Sequence, residues 1–157
     1  AAAEARERGL ERVAVFDFDV HHGNGTEAIL KGKEGVVFAS VHQHPCFPGT
    51  GTESVDNCFN YPVLPLTPRE EHMAVIRKAL DKVLDFGPEL LIVSAGFDAY
   101  KNDPISDELL EIEDFRTIGN WMADTGLPHL HVLEGGYSDD LPLLISAYLE
   151  GLGKEEA

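Results

Sequence analysis

The sequence predicts an α/β protein in which a parallel β-sheet lies between two layers of helices, present here as part of such a three-layer domain. Four short apolar runs rich in β-branched residues recur along the chain, and segments with helical periodicity separate them. The runs do not alternate between apolar and polar residues, which is typical of strands buried on both faces of a parallel sheet. Strands that alternate with helices favour right-handed crossovers, with helices on both faces. The predicted strands span residues 13–16, 36–41, 90–93 and 130–133.

The chain begins with residues 1–9, which are predicted to be the end of a helix that leads into the first strand. A chain that starts inside an element indicates a truncated domain. We therefore expect residues 1–157 to be the C-terminal portion of a single domain, with the first strands of its sheet missing.

A well-delimited helix is predicted between the second and third strands. Thr67 is predicted to cap its N-terminus, with Pro68 at the first helical position and Glu70 completing a capping box. Gly87 and Pro88 are predicted to end it. Its apolar positions recur with helical spacing at Met73, Ile76, Leu80 and Val83.

Two further helices are predicted in the second half of the chain. One spans residues 112–123, ends before Gly126 and turns Phe115, Ile118 and Met122 inward. The other follows Ser138 and runs towards Gly151. Its apolar face comprises Leu144, Ile145, Tyr148 and Leu152.

Residues 42–66 are predicted to form a long ordered loop, because prolines and glycines interrupt them too often for a simple connection. Long ordered loops of this kind often line active sites. The interrupting residues are Pro45, Pro48, Gly49, Gly51, Pro62 and Pro65.

The composition indicates one globular domain without a membrane segment. The 157 residues are 43% hydrophobic, which suits a single buried core. No apolar run approaches the ~18 to 20 residues of a membrane-spanning helix, and no signal-peptide pattern opens the chain. Cys46 and Cys58 lack the spacing of a zinc knuckle or redox motif, so reduced cysteines and a cytoplasmic location are expected. The sequence leaves the oligomeric state open.

The formal net charge of −16 argues against direct nucleic-acid binding, because it repels phosphate backbones. It would attract a cationic substrate. The favoured alternative is that the surplus carboxylates only keep the surface solvated.

Polar residues follow three of the four predicted strands, where the ligand site of an open parallel sheet is expected. Asp19 and His21 are two residues apart, so in extended backbone their side chains share one face and can reach one cation. Asp98, after the third strand, could supply a third ligand. Two carboxylates and one imidazole leave an open position for water, as a catalytic metal site requires. The alternative for Asp19 and His21 alone is a capped turn.

Four segments resemble, in order and spacing, the signature segments of the zinc-dependent histone deacetylase and acetylpolyamine amidohydrolase superfamily. They are DFDVHHGNGT at 17–26, FPGTG at 47–51, SAGFD at 94–98 and LEGGY at 133–137. Glu134, before the glycine pair, is more similar to the class II and bacterial members. The resemblance implies an arginase-like α/β fold, a single deacetylase domain of which residues 1–157 are the C-terminal portion, and hydrolysis of an acetylated amine.

The resemblance also implies roles for the residues of the strand ends. Asp19, His21 and Asp98 match the ligands of one zinc ion per chain. Tyr137 matches the residue that hydrogen-bonds the substrate carbonyl, where its phenol would stabilise the developing oxyanion.

The resemblance extends to five other residues. Phe47 resembles the aromatic residue that lines the acyl-lysine channel, and Gly135 and Gly136 would let the backbone pass close to it. Asp17 resembles a carboxylate that orients a catalytic histidine, beside a monovalent-cation site that involves Ser40 and for which potassium is the candidate ion.

One part of the family's pattern is missing from the chain. The superfamily has a tandem histidine pair upstream of the first zinc-binding segment as general base and acid, and no residue of this chain matches it. The expected function is therefore zinc-dependent deacetylation of acetyl-lysine or an acetylpolyamine, weak or absent in this portion alone. The alternative is a catalytically silent metal-binding fragment of the same fold. An arginase-type dinuclear site is disfavoured because it would need more ligands.

Overall fold

The computed structural model describes residues 1–153; residues 154–157, the end of the predicted domain, lie outside it. No helix within 1–153 is long and apolar enough to span a bilayer. The strands are β1 (Val13–Asp17), β2 (Val36–Gln43), β3 (Cys58–Val63), β4 (Leu90–Ala95) and β5 (His129–Leu133). The helices are α1 (Ala2–Glu7), α2 (Asn24–Leu30), α3 (Arg69–Leu84), α4 (Ile112–Asp124) and α5 (Leu141–Leu152).

All five strands pair in parallel, in the order β3-β2-β1-β4-β5. The register places Asp17, the last residue of β1, opposite Ser40 of β2 and Ser94 of β4. The carboxyl ends of these three strands therefore meet at one edge of the sheet, where polar side chains follow.

Helices cover both faces of the sheet, as the three-layer prediction requires. Because successive strand residues point to opposite faces, Phe16 and Val93 pack against α3, α4 and α5 on one side. Val15 and Phe38 pack against α1 and the end of α2 on the other side. The predicted fold class is confirmed.

Two elements were not predicted. β3 lies inside residues 42–66, which were expected to be a loop. Its sequence contains Asn60 and Pro62, and proline is tolerated in a strand only at the edge of a sheet, which is where β3 lies. The other is α2, whose seven residues are too few to show a clear helical period.

The predicted cap of α3 is wrong. The helix begins at Arg69 after Pro68, and no side chain caps its N-terminus. The Thr67 hydroxyl instead donates a hydrogen bond to the carbonyl of Leu64 at 2.6 Å, which uses it in the preceding turn. A capping box is present in α4, where the Glu111 and Asp114 side chains satisfy each other's backbone N–H groups.

β5 departs from the expectation that every predicted strand is buried on both faces. It is an edge strand, and Val132 and Leu133 are 42% and 57% exposed. Apolar composition predicted a strand here, but only the order of the strands decides which of them has a neighbour on each side.

Candidate metal centre

Asp19, His21 and Asp98 meet at the carboxyl edge of the sheet because β1 and β4 are neighbours. One ligand atom from each of the three residues lies within 4.8 Å of the others. His21 Nδ1 lies 3.0 Å from Asp19 Oδ1 and 3.1 Å from Asp98 Oδ2. The structure thus brings together the three residues that the sequence singled out as ligands.

Backbone hydrogen bonds shape the segment that holds these residues. Asp17 Oδ1 accepts a hydrogen bond from the Asp19 N–H at 3.0 Å, and Asp19 Oδ1 accepts one from the His21 N–H at 2.8 Å. Asp98 Oδ1 accepts one from the Val20 N–H at 2.8 Å. Each carboxylate therefore uses at least one oxygen to fix the backbone.

The donor set fits a small divalent cation. Asp98 is fully buried, and its Oδ2 has no hydrogen bond of good geometry to any residue that the structure describes. Ligands about 2.0–2.1 Å from a tetrahedral zinc ion lie roughly 3.3 Å from one another, close to the separations found here. Two carboxylate oxygens and one imidazole nitrogen are suitable ligands for zinc.

The charges of the cluster also favour a bound cation. Burial raises the pKa of Asp98, because the carboxylate loses its hydration. The hydrogen bond to Asp19, followed by the close carboxylate of Asp98, raises the pKa of His21 to about 10. A positive charge between the two carboxylates is strongly favoured, and a metal ion would supply it in place of the proton.

Glycines allow the chain to approach this cluster closely. The Gly135 N–H donates a hydrogen bond to Asp19 Oδ2 at 2.7 Å, and a Cβ at Gly135 would overlap the carboxylate of Asp98. A Cβ at Gly96 would overlap the Asp19 backbone. Gly136 has a φ of 136°, which L side chains rarely adopt. The backbone at Gly96 and Gly135 thus passes close to Asp19 and Asp98, and the channel role of Gly135 and Gly136 stays a prediction.

A cavity of about 880 Å³ opens onto the cluster and brings in two more predicted residues. Tyr137 and Phe47 line it together with Asp19 and His21. The Phe47 ring is 79% exposed and lies 6.4 Å from the His21 ring, edge to face. No lysine or arginine is among the described residues that line the cavity.

Tyr137 has a phenol suited to donate a hydrogen bond. Partial desolvation, followed by the charges of Asp98 and Asp19, raises its pKa above the ordinary value of 10.0. The hydroxyl therefore stays protonated at neutral pH.

Asp17 and Ser40 are register neighbours on β1 and β2. Burial, followed by the charge of Asp19, raises the pKa of Asp17 well above its usual value. The Ser40 hydroxyl lies 2.9 Å from His42 Nδ1, and His42 Nε2 lies 2.9 Å from the carbonyl of Gly51. Because that carbonyl can only accept, His42 Nε2 donates to it. Nδ1 of the neutral ring then accepts a hydrogen bond from the Ser40 hydroxyl. The monovalent-cation site stays a prediction.

Sequence reasoning missed the connection 99–110, which follows Asp98 and borders the cavity. Ile105 lines the cavity, and the Ser106 hydroxyl donates a hydrogen bond to the Asp98 carbonyl. Asp103, in the same connection, is buried. The dipeptide Asp103-Pro104 was a readable turn signal, but the partner of its carboxylate lies far along the chain.

The fold and the cluster define an α/β protein with a candidate mononuclear metal centre at the carboxyl edge of a parallel sheet. Residues 1–150 match the model of the histone deacetylase domain. The chain belongs to the histone deacetylase family. Its relatives include acetylpolyamine amidohydrolases.

The relatives are longer proteins. The chain is 39% identical to a probable deacetylase of Methanothermobacter thermautotrophicus, over 96% of the chain and 49% of the relative. It is 34% identical to the acetylpolyamine amidohydrolase of Mycoplana ramosa, over 97% and 48%. The crystal structure of an acetylpolyamine aminohydrolase from Burkholderia pseudomallei superimposes with a TM-score of 0.91 at 29% identity, again over 97% and 48%. The chain thus spans about half the length of these proteins.

Proposed function

We propose that the protein takes part in zinc-dependent hydrolysis of acetylated amines, either acetyl-lysine or an acetylpolyamine. The observation that supports this most is the convergence of three ligand atoms beside a cavity that Tyr137 also lines. Relatives named deacetylase and acetylpolyamine amidohydrolase support the substrate class.

Asp19, His21 and Asp98 would hold the zinc ion. When bound, zinc supplies Lewis-acid polarisation of the acetyl carbonyl and a nucleophile at neutral pH. The protein's part is to hold both carboxylates in place. The backbone N–H groups of Val20 and Gly135 do this by donating hydrogen bonds to Asp98 and Asp19.

Tyr137 would donate its O–H to the substrate carbonyl as negative charge develops on that oxygen. Phe47 would pack against the aliphatic chain that leads from the amine to the rest of the substrate. Acidic groups and no lysine or arginine are among the described residues that line the cavity, which favours an ammonium or lysine-rich substrate there.

Proton transfer is the step that these residues do not account for. The tandem histidine pair of the family has no counterpart in the chain, and general acid–base catalysis is typically worth about 10² to 10⁴ in rate. We therefore propose that the 157-residue chain alone turns over slowly, and that a form extended upstream through such a pair is active. The second candidate function is a metal-binding fragment without catalysis.

Metal analysis tests the ligand assignment. After mild dialysis, the folded chain should retain about one zinc ion, because the three ligands are already assembled. Asp98→Ala should lose it, since a buried ligand is removed. Asp107→Ala, which removes an exposed carboxylate of the connection 99–110, should keep it. Full zinc retention by a folded Asp19→Ala, Asp98→Ala double variant would rule out the site.

Turnover tests the reaction. The short and extended chains are compared at matched zinc loading, with an acetyl-lysine peptide and acetylputrescine as substrates. The extended chain should be faster by about 10²-fold or more. In it, Tyr137→Phe should lower kcat about 10²- to 10³-fold. Equal turnover by the two lengths would place the proton-transfer group within this chain, and no turnover by either would favour the silent fragment.

A further inference from the structure

The buried carboxylate of Asp103 links two residues that line the cavity. Asp103 is 7% exposed and lies in the connection 99–110. Its Oδ2 accepts a hydrogen bond from the Tyr137 N–H at 2.8 Å, across 34 residues of sequence. Its Oδ1 accepts one from the Ile105 N–H at 3.0 Å. Both donors belong to residues that line the cavity.

The Tyr137 phenol has no described hydrogen-bond partner, and the residue is 57% exposed. Its backbone therefore sets the Cα–Cβ direction from which the ring reaches into the cavity. Gly136, just before it, has a φ of 136° and adds no side chain to restrict that backbone. The segment is held by Asp19 at the Gly135 N–H, by the Phe97 N–H at the Gly135 carbonyl and, at Tyr137 itself, by Asp103 at the backbone N–H.

Asp103 is itself held in a fixed relation to the metal ligand Asp98. Its N–H donates a hydrogen bond to the Tyr100 carbonyl at 2.8 Å. The Ser106 hydroxyl donates one back to the Asp98 carbonyl. The connection thus folds back onto its own start, which places the backbone of Asp103 in a defined position relative to Asp98.

We infer that Asp103 is a positioning residue, which sets the distance between the Tyr137 phenol and the metal centre and places Ile105 in the lining of the same cavity. The inference rests on the proposed role of Tyr137. Asp103 does not reach the substrate: it acts through two backbone N–H groups. Loss of its carboxylate should free the tyrosine while Asp19, His21 and Asp98 remain assembled.

Amide hydrogen exchange tests the contact without any need for turnover. In Asp103→Ala, the Tyr137 and Ile105 amides should exchange about tenfold faster or more, because each loses a charged acceptor. Asp103→Asn keeps one acceptor oxygen, so one of the two amides should stay protected. Asp107→Ala, on the same connection, should change neither. Unchanged exchange at Tyr137 in a folded Asp103→Ala variant would overturn the inference.

Kinetics in the form of the protein that turns over test the consequence. Asp103→Ala should lower kcat by about tenfold and leave KM within about twofold, since the substrate pocket persists. In a Tyr137→Phe background the same change should have no further effect, because coupled residues are not additive. An equal loss in both backgrounds would show that Asp103 acts elsewhere. If Tyr137→Phe turned over as fast as the parent, the proposed role of Tyr137 would fail first, and the positioning role with it.

Discussion

At the scale of single residues, His131 shows how burial decides the charge of a side chain. The Tyr148 hydroxyl lies 2.8 Å from His131 Nδ1, and His131 Nε2 lies 2.7 Å from His129 Nδ1. Burial raises the pKa of Tyr148, so it remains a donor, and His131 Nδ1 must accept. Burial, and then the charge of His129, lowers the pKa of His131 to about 4. His131 is therefore neutral in the folded protein at neutral pH.

This makes stability depend on pH. Between pH of about 6.5 and about 4 the unfolded chain binds a proton at residue 131 that the folded chain does not, so the free energy of unfolding falls as pH decreases through that window. In His131→Gln the difference in unfolding free energy between pH 7 and pH 5 should be smaller than in the parent. Urea unfolding at both pH values measures it. A pH dependence remains in the variant, because burial also lowers the pKa of His42 to about 4. An unchanged difference in a folded variant would contradict the assignment.

At the scale of elements, Asp114 joins the starts of α3 and α4. Its two oxygens accept hydrogen bonds from Arg69 Nε at 2.6 Å and Arg69 Nη2 at 2.9 Å. One of them also accepts the Glu111 N–H at 2.8 Å and so closes the capping box of α4. One buried carboxylate thus caps a helix and fixes its position against a neighbour.

We predict that Asp114→Ala lowers the free energy of unfolding by about 2 to 3 kcal/mol, because it removes a helix cap and leaves Arg69 without its partner. Asp81→Ala is the matched control. It breaks the Arg77–Asp81 pair at 2.7 Å, which lies on the surface of α3 and should contribute about 0.3–0.5 kcal/mol. Urea unfolding of both variants gives the comparison. Equal losses would mean that the cap contributes nothing beyond a surface ion pair.

At the scale of the whole molecule, the two edges of the sheet differ. The β3 edge contains Pro62, and Lys82 Nζ lies 4.5 Å from the Phe59 ring beside it. Proline and lysine are the residues that natural edge strands use to prevent pairing with another chain. β5 has neither, and it exposes Val132 and Leu133. The β5 edge is therefore where another strand could pair.

We predict that the chain self-associates through β5 at raised concentration, most strongly at high salt, which screens the net charge of −16. Val132→Lys should suppress the association, because a charge at the edge opposes pairing. Leu64→Lys, at an exposed apolar position just beyond β3, is the control and should not suppress it. Sedimentation velocity over a concentration series measures the effect. A parent chain that stays monomeric throughout would contradict the prediction.

Local patterns were enough for much of this protein. Apolar runs predicted four of the five strands, and helical spacing predicted α3, α4 and α5 nearly to their ends. The spacing of Asp19 and His21, with Asp98 after a later strand, predicted which residues would meet, because parallel strands place their carboxyl ends together. The roles of these residues in zinc binding stay a prediction.

The sequence by itself determined the α/β class, the presence of polar residues at the strand ends and the three residues that converge there. Only the tertiary structure decided that β5 is an exposed edge and that β3 forms the opposite edge. It also decided that the Thr67 hydroxyl donates its hydrogen bond within the turn before α3 and that Asp103 holds Tyr137. The physical reason is range: periodicity and caps depend on residues a few positions apart, whereas strand neighbours and buried hydrogen bonds join groups that the chain brings together only when it folds.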